Sequence, residues 1–267
     1  MGAGTAQTLT WSSTGATSYD VNFGTSNPPP QVSAGQTAAS FGPGALSNNT
    51  TYFWQVISHS TAGTTSGPVW SFTTAAPLAN VEIVIDASDI PLTNLHGMWT
   101  VGSDPTSPNG IKLVTPDNGW AATTNPAAAP TDYVDVTFEA NAGVPYTLWL
   151  RVSALNDLKF NDSLWVQFSD AMANGTSIYP MNTTSGLDVN LATDSTGATL
   201  NHWGWQNTGY WLSQPTTVTF ATSGTHTMRI QVREDGVQFD QIVLSSARYL
   251  TAAPGGVAND ATIVSKP

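Results

Sequence analysis

The sequence predicts an all-β chain folded as two β-sandwich domains. Short alternating apolar runs recur from end to end, clusters of Gly, Pro, Asn and Asp punctuate them, and no helical periodicity of useful length interrupts them. With 267 residues there is chain enough for two cores, because single domains commonly run to about 100–150 residues.

The first domain is expected over residues 1–76. Alternating runs fall at residues 8–12, 19–23, 51–58 and 69–73, separated by Asn-Pro-Pro-Pro, Gly-Pro-Gly and Ser-Gly-Pro turns. This segment holds one acid, Asp20, and neither lysine nor arginine, so it offers little acid–base chemistry. His59 stands apart from other metal-type side chains in sequence and reads as a solvated polar residue. Residues 77–80, rich in small residues and proline, read as a linker.

The second domain is expected over residues 81–250, with strands near 81–85, 111–114, 133–138, 146–152, 164–168, 216–220, 227–233 and 238–244. Asn141-Ala-Gly143 and Thr222-Ser-Gly224 mark turns, and Asp235-Gly236 reads as a hairpin between the last two strands. Residues 251–267 read as a linker or a tail lying on the domain surface.

Composition narrows the partners. The net charge is −11 with three lysines and four arginines, so counterion release from a phosphate backbone would contribute little and nucleic acid is not expected. The same shortage of basic residues argues against an anionic membrane surface, and no run approaches the roughly 18 apolar residues of a spanning helix. Absence of cysteine removes disulfides and thiolate sites. Charged residues are only 9% of the chain, whereas tryptophan occurs ten times. That mixture reads as a secreted or extracellular bacterial β-protein, monomeric, with Met1-Gly2 as a start placed inside a longer exported polypeptide.

Over residues 1–76 the stretches LTW (9–11), YDVNFG (19–24), LSNNTTYFWQVIS (46–58) and VWSFTT (69–74) resemble a fibronectin type III domain. The resemblance implies an immunoglobulin-like spacer with Trp11 in its core and Leu46 with Tyr52 forming a tyrosine corner. In the second domain EIVIDASDI, YVDVTFEANAGVPYTLWLRV and SGTHTMRIQVREDGVQFDQIVLS resemble the galactose-binding-like jelly-roll sandwiches that include carbohydrate-binding modules of families 6 and 35. That resemblance implies polysaccharide binding and a structural calcium, with Asp86 and Asp240 at the acidic positions and Ser88 where the family places a second acid. Asp89 stands one residue further on. No organic cofactor is implied.

Two places could hold a glycan, whose apolar faces stack on aromatic rings while its hydroxyls pair with amides and charged groups. One is the segment NHWGWQNTGYW, residues 201–211, expected to be irregular. Trp203 and Trp205 are its expected platform, with Asn207 and Tyr210; Trp99, Trp120 and Gln238 would complete the cleft, and His96 lies near Trp99. Trp211 matches the family's core tryptophan. The other follows from strand alternation, which puts Trp149 with Arg151, and Trp165 with Gln167, on nominally exposed faces, joined by Arg229, Gln231 and Arg233.

The chain carries no G-x-S-x-G, H-E-x-x-H or P-loop motif, and its four histidines are scattered. Asp157, Asp162 and Asp170 are the nearest approach to a carboxylate pair. The sequence is therefore read as non-catalytic, with a structural or cell-surface protein-interaction module as the alternative class.

Overall fold

The computed structural model describes residues 3–75, 82–120 and 122–267. The linker expected at 77–80 and the domain borders at 76 and 81 lie outside them. Among the described residues the regular elements are strands and five short 3-10 turns, and contacts divide the chain into two compact units, the first drawn mainly from residues before 79 and the second from those after.

The first unit has a five-stranded sheet in which Gln31–Gln36, Ser18–Gly24, Thr51–Ser60 and Gly63–Ser66 run in that order. Trp70–Thr73 also pairs with Thr51–Ser60, and Leu9–Thr10 pairs with Ser40–Phe41. The strand Ser18–Gly24 alternates strictly, burying Tyr19, Val21 and Phe23. Phe23 stacks on Tyr52 at 5.1 Å, beside buried Leu9 and Leu46. The Tyr52 hydroxyl accepts the Ser47 backbone N–H at 3.0 Å, which ties the turn before the strand to its core. Trp11 packs edge-on against Tyr19, half-buried. The sequence pattern missed Gln31–Gln36 and Gly63–Ser66 because they are largely exposed and carry small or polar side chains, leaving no alternation to detect.

The second unit is a sandwich. Its four-stranded sheet runs Tyr133–Ala140, Gly224–Val232, Ser163–Phe168, Leu187–Asn190. The facing sheet has nine strands, at whose centre Tyr146–Ala154 pairs with Val237–Ser245, Thr217–Phe220 and Trp203–Gln206. Leu148, Leu150 and Val152 from this sheet share one core with Val134, Leu164, Val166 and Ile230 from the other.

Two expectations are corrected here. Asp235-Gly236 is not a hairpin, because Gly224–Val232 and Val237–Ser245 belong to opposite sheets and the turn crosses between them. Residues 203–206 are a strand rather than irregular, since Trp203 and Trp205 fall in register with Ser153 and Arg151. The tail at 251–267 is seated on the outer face of the large sheet. There Trp205 N–H donates to the Gly256 carbonyl (2.9 Å), Asp260 N–H to Trp203 (2.9 Å) and Val264 N–H to the Gln241 side chain (2.8 Å). Trp205, Val243 and Val264 form a second apolar layer beneath this segment, with Trp149 and Tyr249 packed on it.

Candidate functional site

The layer under the tail decides the fate of the first sheet-face candidate. Arg151 is wholly buried: its Nη1 meets Asp240 Oδ2 at 2.5 Å, its Nη2 donates to the Asp260 carbonyl at 3.0 Å, and its guanidinium lies 4.9 Å from the Trp203 ring. Trp149 Nε1 donates to the Tyr249 carbonyl at 2.7 Å. The guanidinium, buried and committed to Asp240 and the Asp260 carbonyl, is closed to a glycan, and the half-buried Trp149 ring packs on the layer beneath the tail.

Trp165 and Gln167 belong to the other sheet, so the two pairs do not form one surface. Gln167 is fully buried, donating to the carbonyls of Thr183 (2.9 Å) and Ser185 (2.7 Å) and accepting from Gln231 (2.8 Å). Trp165 is also buried, its Nε1 on Thr123 Oγ1 at 2.8 Å. Arg229 is spent on a two-pronged pair with Asp135, both N–O distances 2.8 Å.

The expected loop-cleft set divides. Trp203, Trp205 and Trp99 are buried: the first two are held in the ladder with Tyr146–Ala154, and Trp99 packs edge-on against Phe239 at 5.4 Å. Trp99 and Trp205 are closed to solvent, and Trp203, all but buried, reaches only the cleft beside the tail. Asn207 and Gln238 are buried too. Gln238 lines, with Trp203, Lys112 and Asp157, a polar cleft of about 490 Å³ beside the tail. His96 stacks on Tyr133 at 4.2 Å. Tyr210 and Trp120 are exposed, and so is Trp211, which the sequence reading had assigned to the core. Trp211 is 47% exposed, and the fully buried ring of this segment is Trp205, in the apolar layer beneath the tail.

These exposed rings gather at one edge of the sandwich. Three contiguous clefts of about 620, 250 and 710 Å³ run along it: the first two share Trp211 and Arg233, the last two Lys159 and Phe160. Trp120, Phe160, Tyr210 and Trp211 line this groove and are all exposed. Phe160, with neighbouring Leu158, was missed by the sequence reading.

Each ring is held by its backbone. The Asp235 carboxylate accepts the backbone N–H of Asn118 and of Trp120, the latter at 3.0 Å, which pins the Trp120 loop to the crossover between sheets. Gly236 follows at φ +77, and a Cβ there would lie 2.6 Å from Asn161 Cγ, so glycine is required. Asn161 in turn donates to Asp117 (3.1 Å) and to the Leu155 carbonyl (3.1 Å), fixing the 3-10 turn Lys159–Asn161 that carries Phe160. Tyr210 and Trp211 meet edge-to-face at 4.6 Å.

Charged groups form the floor. Arg233 lies 5.5 Å from the Trp211 ring and 5.6 Å from Trp165, with its Nε 3.0 Å from Asp188 Oδ2 and its Nη1 2.9 Å from Glu234. The Asp162 carboxyl accepts from Asn190 Nδ2 (2.9 Å) and Ala192 N–H (3.2 Å), and the Asp162 backbone N–H donates to Glu234 Oε2 (3.3 Å). Burial, reinforced by the neighbouring Glu234, pushes the Asp162 carboxyl up to about 8. Burial also raises Asp188 to about 6, against the pull of Arg233. Asp188 Oδ1 and Asn190 Oδ1 are buried and have no hydrogen-bond partner among the described residues.

The residues expected to hold calcium do not fit that ion as arranged. Asp86 Oδ2 lies 3.0 Å from the Lys266 ammonium, which also reaches Asp89 Oδ1 at 2.6 Å, and Asp86 Oδ1 accepts from Gln241 at 2.7 Å. Ser88 Oγ accepts from Asn109 (2.9 Å), and Asp240 is engaged by Arg151. A cationic side chain already stands at each acid, and no group of three or more His, Cys, Asp or Glu among the described residues is placed to hold a metal.

No protein-family model matches the chain, and no curated protein matches it. Among solved structures it is similar to the C-terminal family 6 carbohydrate-binding module of a laminarinase from Zobellia galactanivorans (15% identity, 61% of this chain and 98% of that one, TM-score 0.35). It is likewise similar to a family 6 module of Cellvibrio mixtus lichenase 5A in complex with cellotriose (15%, 63% and 99%, TM-score 0.35). A third is a Podospora anserina β-(1,4)-mannanase carrying a family 35 module, of which the chain spans 28% (12%, 63% of this chain, TM-score 0.35). Likeness of this degree carries no argument about function.

Proposed function

We propose that the second unit binds a polysaccharide chain along the aromatic edge without cleaving it, and that the first unit is a fibronectin type III-like spacer of an exported protein. One observation carries the reading: Trp120, Phe160, Tyr210 and Trp211 stand open to solvent along one continuous groove whose floor supplies hydrogen-bonding groups. Solvent-exposed rings of this size are costly to leave uncovered, and a row of them suits the stacked faces of successive sugars.

The buried acids support a binding role rather than hydrolysis. Glycosidases hold two carboxyl groups about 5–9.5 Å apart across the scissile bond. Asp162 and Glu234 are instead both buried and engaged within the fold, the first by Asn190 and Ala192 and the second by Arg233.

The test is affinity electrophoresis against a panel of plant and microbial polysaccharides, with Trp211→Ala and Trp120→Ala beside the parent protein. At least one glycan should retard the parent, and each variant should lose about tenfold or more, as when an anchoring ring is truncated. Retardation unchanged in both variants would overturn the site. Release of reducing ends would overturn the non-catalytic reading, and no retardation by any glycan would favour a protein-interaction module.

A further inference from the structure

We propose that the groove selects a glycan of amino sugars bearing free, charged amines, an inference that rests on the glycan-binding reading above. The three clefts contain one, two and three acidic residues in turn, six in all, of which Asp162 holds its proton near neutral pH, against two cationic side chains, Lys159 and Arg233. Arg233 is shared between Asp188 and Glu234, and Lys159 gives one of its three donors to the Ser195 carbonyl, so the carboxylates of the groove outnumber its cations.

The independent sign of a missing cation is Asp188. Its side chain is almost wholly buried, it lines the 620 Å³ cleft beside Trp211 and Arg233, and only Oδ2 is engaged by the guanidinium. Oδ1 has no hydrogen-bond partner among the described residues. A buried carboxylate oxygen left without a donor is expensive, and an ammonium on a sugar stacked over Trp211 would supply the donor and the charge together. Asn190 Oδ1, equally without a partner, lines the adjoining cleft and offers a second acceptor along the groove. A neutral glycan would leave the excess of negative charge unanswered, and a uronate or sulfated chain would add to it.

Three hexasaccharides with the same β-1,4-linked backbone isolate the point, since they differ only at C2: glucosamine hexamer, its N-acetylated form and cellohexaose. Titration calorimetry in low-salt buffer near neutral pH, above the value to which burial raises Asp188, should show the free-amine hexamer binding about tenfold or more tighter than either neutral one, with the margin shrinking as salt is raised. Asp188→Asn, which keeps the shape of the side chain, should remove most of that margin, bringing the amine hexamer down toward the neutral pair. Asp117→Asn, at an exposed position on the groove wall, should remove part of it, its amide oxygen still able to accept from Asn161. Trp211→Ala should abolish binding of the amine hexamer. Binding that survives Trp211→Ala would be general attraction to a chain of net charge −11, and would count against the proposal. If cellohexaose or the acetylated hexamer binds as tightly as the amine form, the amine preference fails and the glycan site stands. If no hexamer binds, the preference fails, and the wider panel alone decides whether the groove binds glycan.

Discussion

Arg151 and Asp240 form an ion pair, 2.5 Å between Nη1 and Oδ2, with both side chains wholly inaccessible to solvent. Burial pushes the Asp240 carboxyl up, with Arg151 opposing. Removing one partner strands a charge in a dry environment, at a cost of about 3–5 kcal/mol, whereas replacing both with apolar residues of similar size is often neutral or better. Arg151→Ala should therefore lower the urea midpoint of the second unit strongly, and Arg151→Met combined with Asp240→Leu should restore it. A double variant no more stable than Arg151→Ala would mean that the guanidinium's bonds to the Thr106 and Asp260 carbonyls matter more than the pair.

Lys266 stands between Asp86 and Asp89 where a bound cation would otherwise tie the end of the first strand to the rest of the sheet. Chelator should leave the melting temperature unchanged. Lys266→Ala should lower stability by about 1 kcal/mol or less, and high salt should erase the difference, because the ammonium is substantially exposed and screened. A fall in melting temperature with chelator would instead show that a metal stabilises the native state.

Trp205 is fully buried between the sheet and the tail, its Nε1 donating to the Thr262 carbonyl at 3.2 Å. Trp205→Ala should cost about 3–5 kcal/mol, measured as a shift in denaturation midpoint, whereas Trp211→Ala, at an exposed ring, should shift that midpoint little. If the two variants were equally unstable, Trp211 would be a structural ring rather than a contact surface.

Asp162 gives the pH prediction. Its carboxyl is raised to about 8 in the fold and returns to an ordinary value, about 3.9, when unfolded. Between those values the native state holds a proton that the unfolded chain releases. The contribution is therefore complete below about pH 4 and is lost as pH rises through about 8, at most about 1.4 kcal/mol per unit. Melting temperatures from mildly acidic to mildly basic pH should fall for the parent protein, and Asp162→Asn, whose amide can still donate toward Glu234, should flatten that slope. Parallel profiles for the two proteins would assign the pH dependence to other groups.

The strand cores were legible because period-two alternation is a local property: Ile111–Val114 matched to the residue, and Tyr146–Ala154 was extended by only two. Coverage was not legible. Alternation correctly turned Trp149 and Arg151 away from the core, but nothing near residue 150 reports that residues 249–264 lie over them. The aromatic crowd at 201–211 was visible as a crowd. Which ring opens to water depends on the ladder that pairs Trp203 with Ser153 and Trp205 with Arg151, a contact some fifty residues away in sequence. Phe160 and Leu158 had a usable signal: two large apolar residues set among Asn156, Asp157, Lys159, Asn161 and Asp162 lie in a polar, turn-forming stretch with little core to reach.

The crossover at Asp235-Gly236 joins the two sheets and, through the Asp235 carboxylate, also carries the loop of Trp120. The groove thus lies along the seam by which the sandwich would come apart. Any excursion that separates the sheets takes the rings out of line with one another, so an open sandwich has no binding surface to offer. A glycan lying across the seam would then act as a rivet, raising the unfolding temperature of the second unit with the logarithm of its concentration.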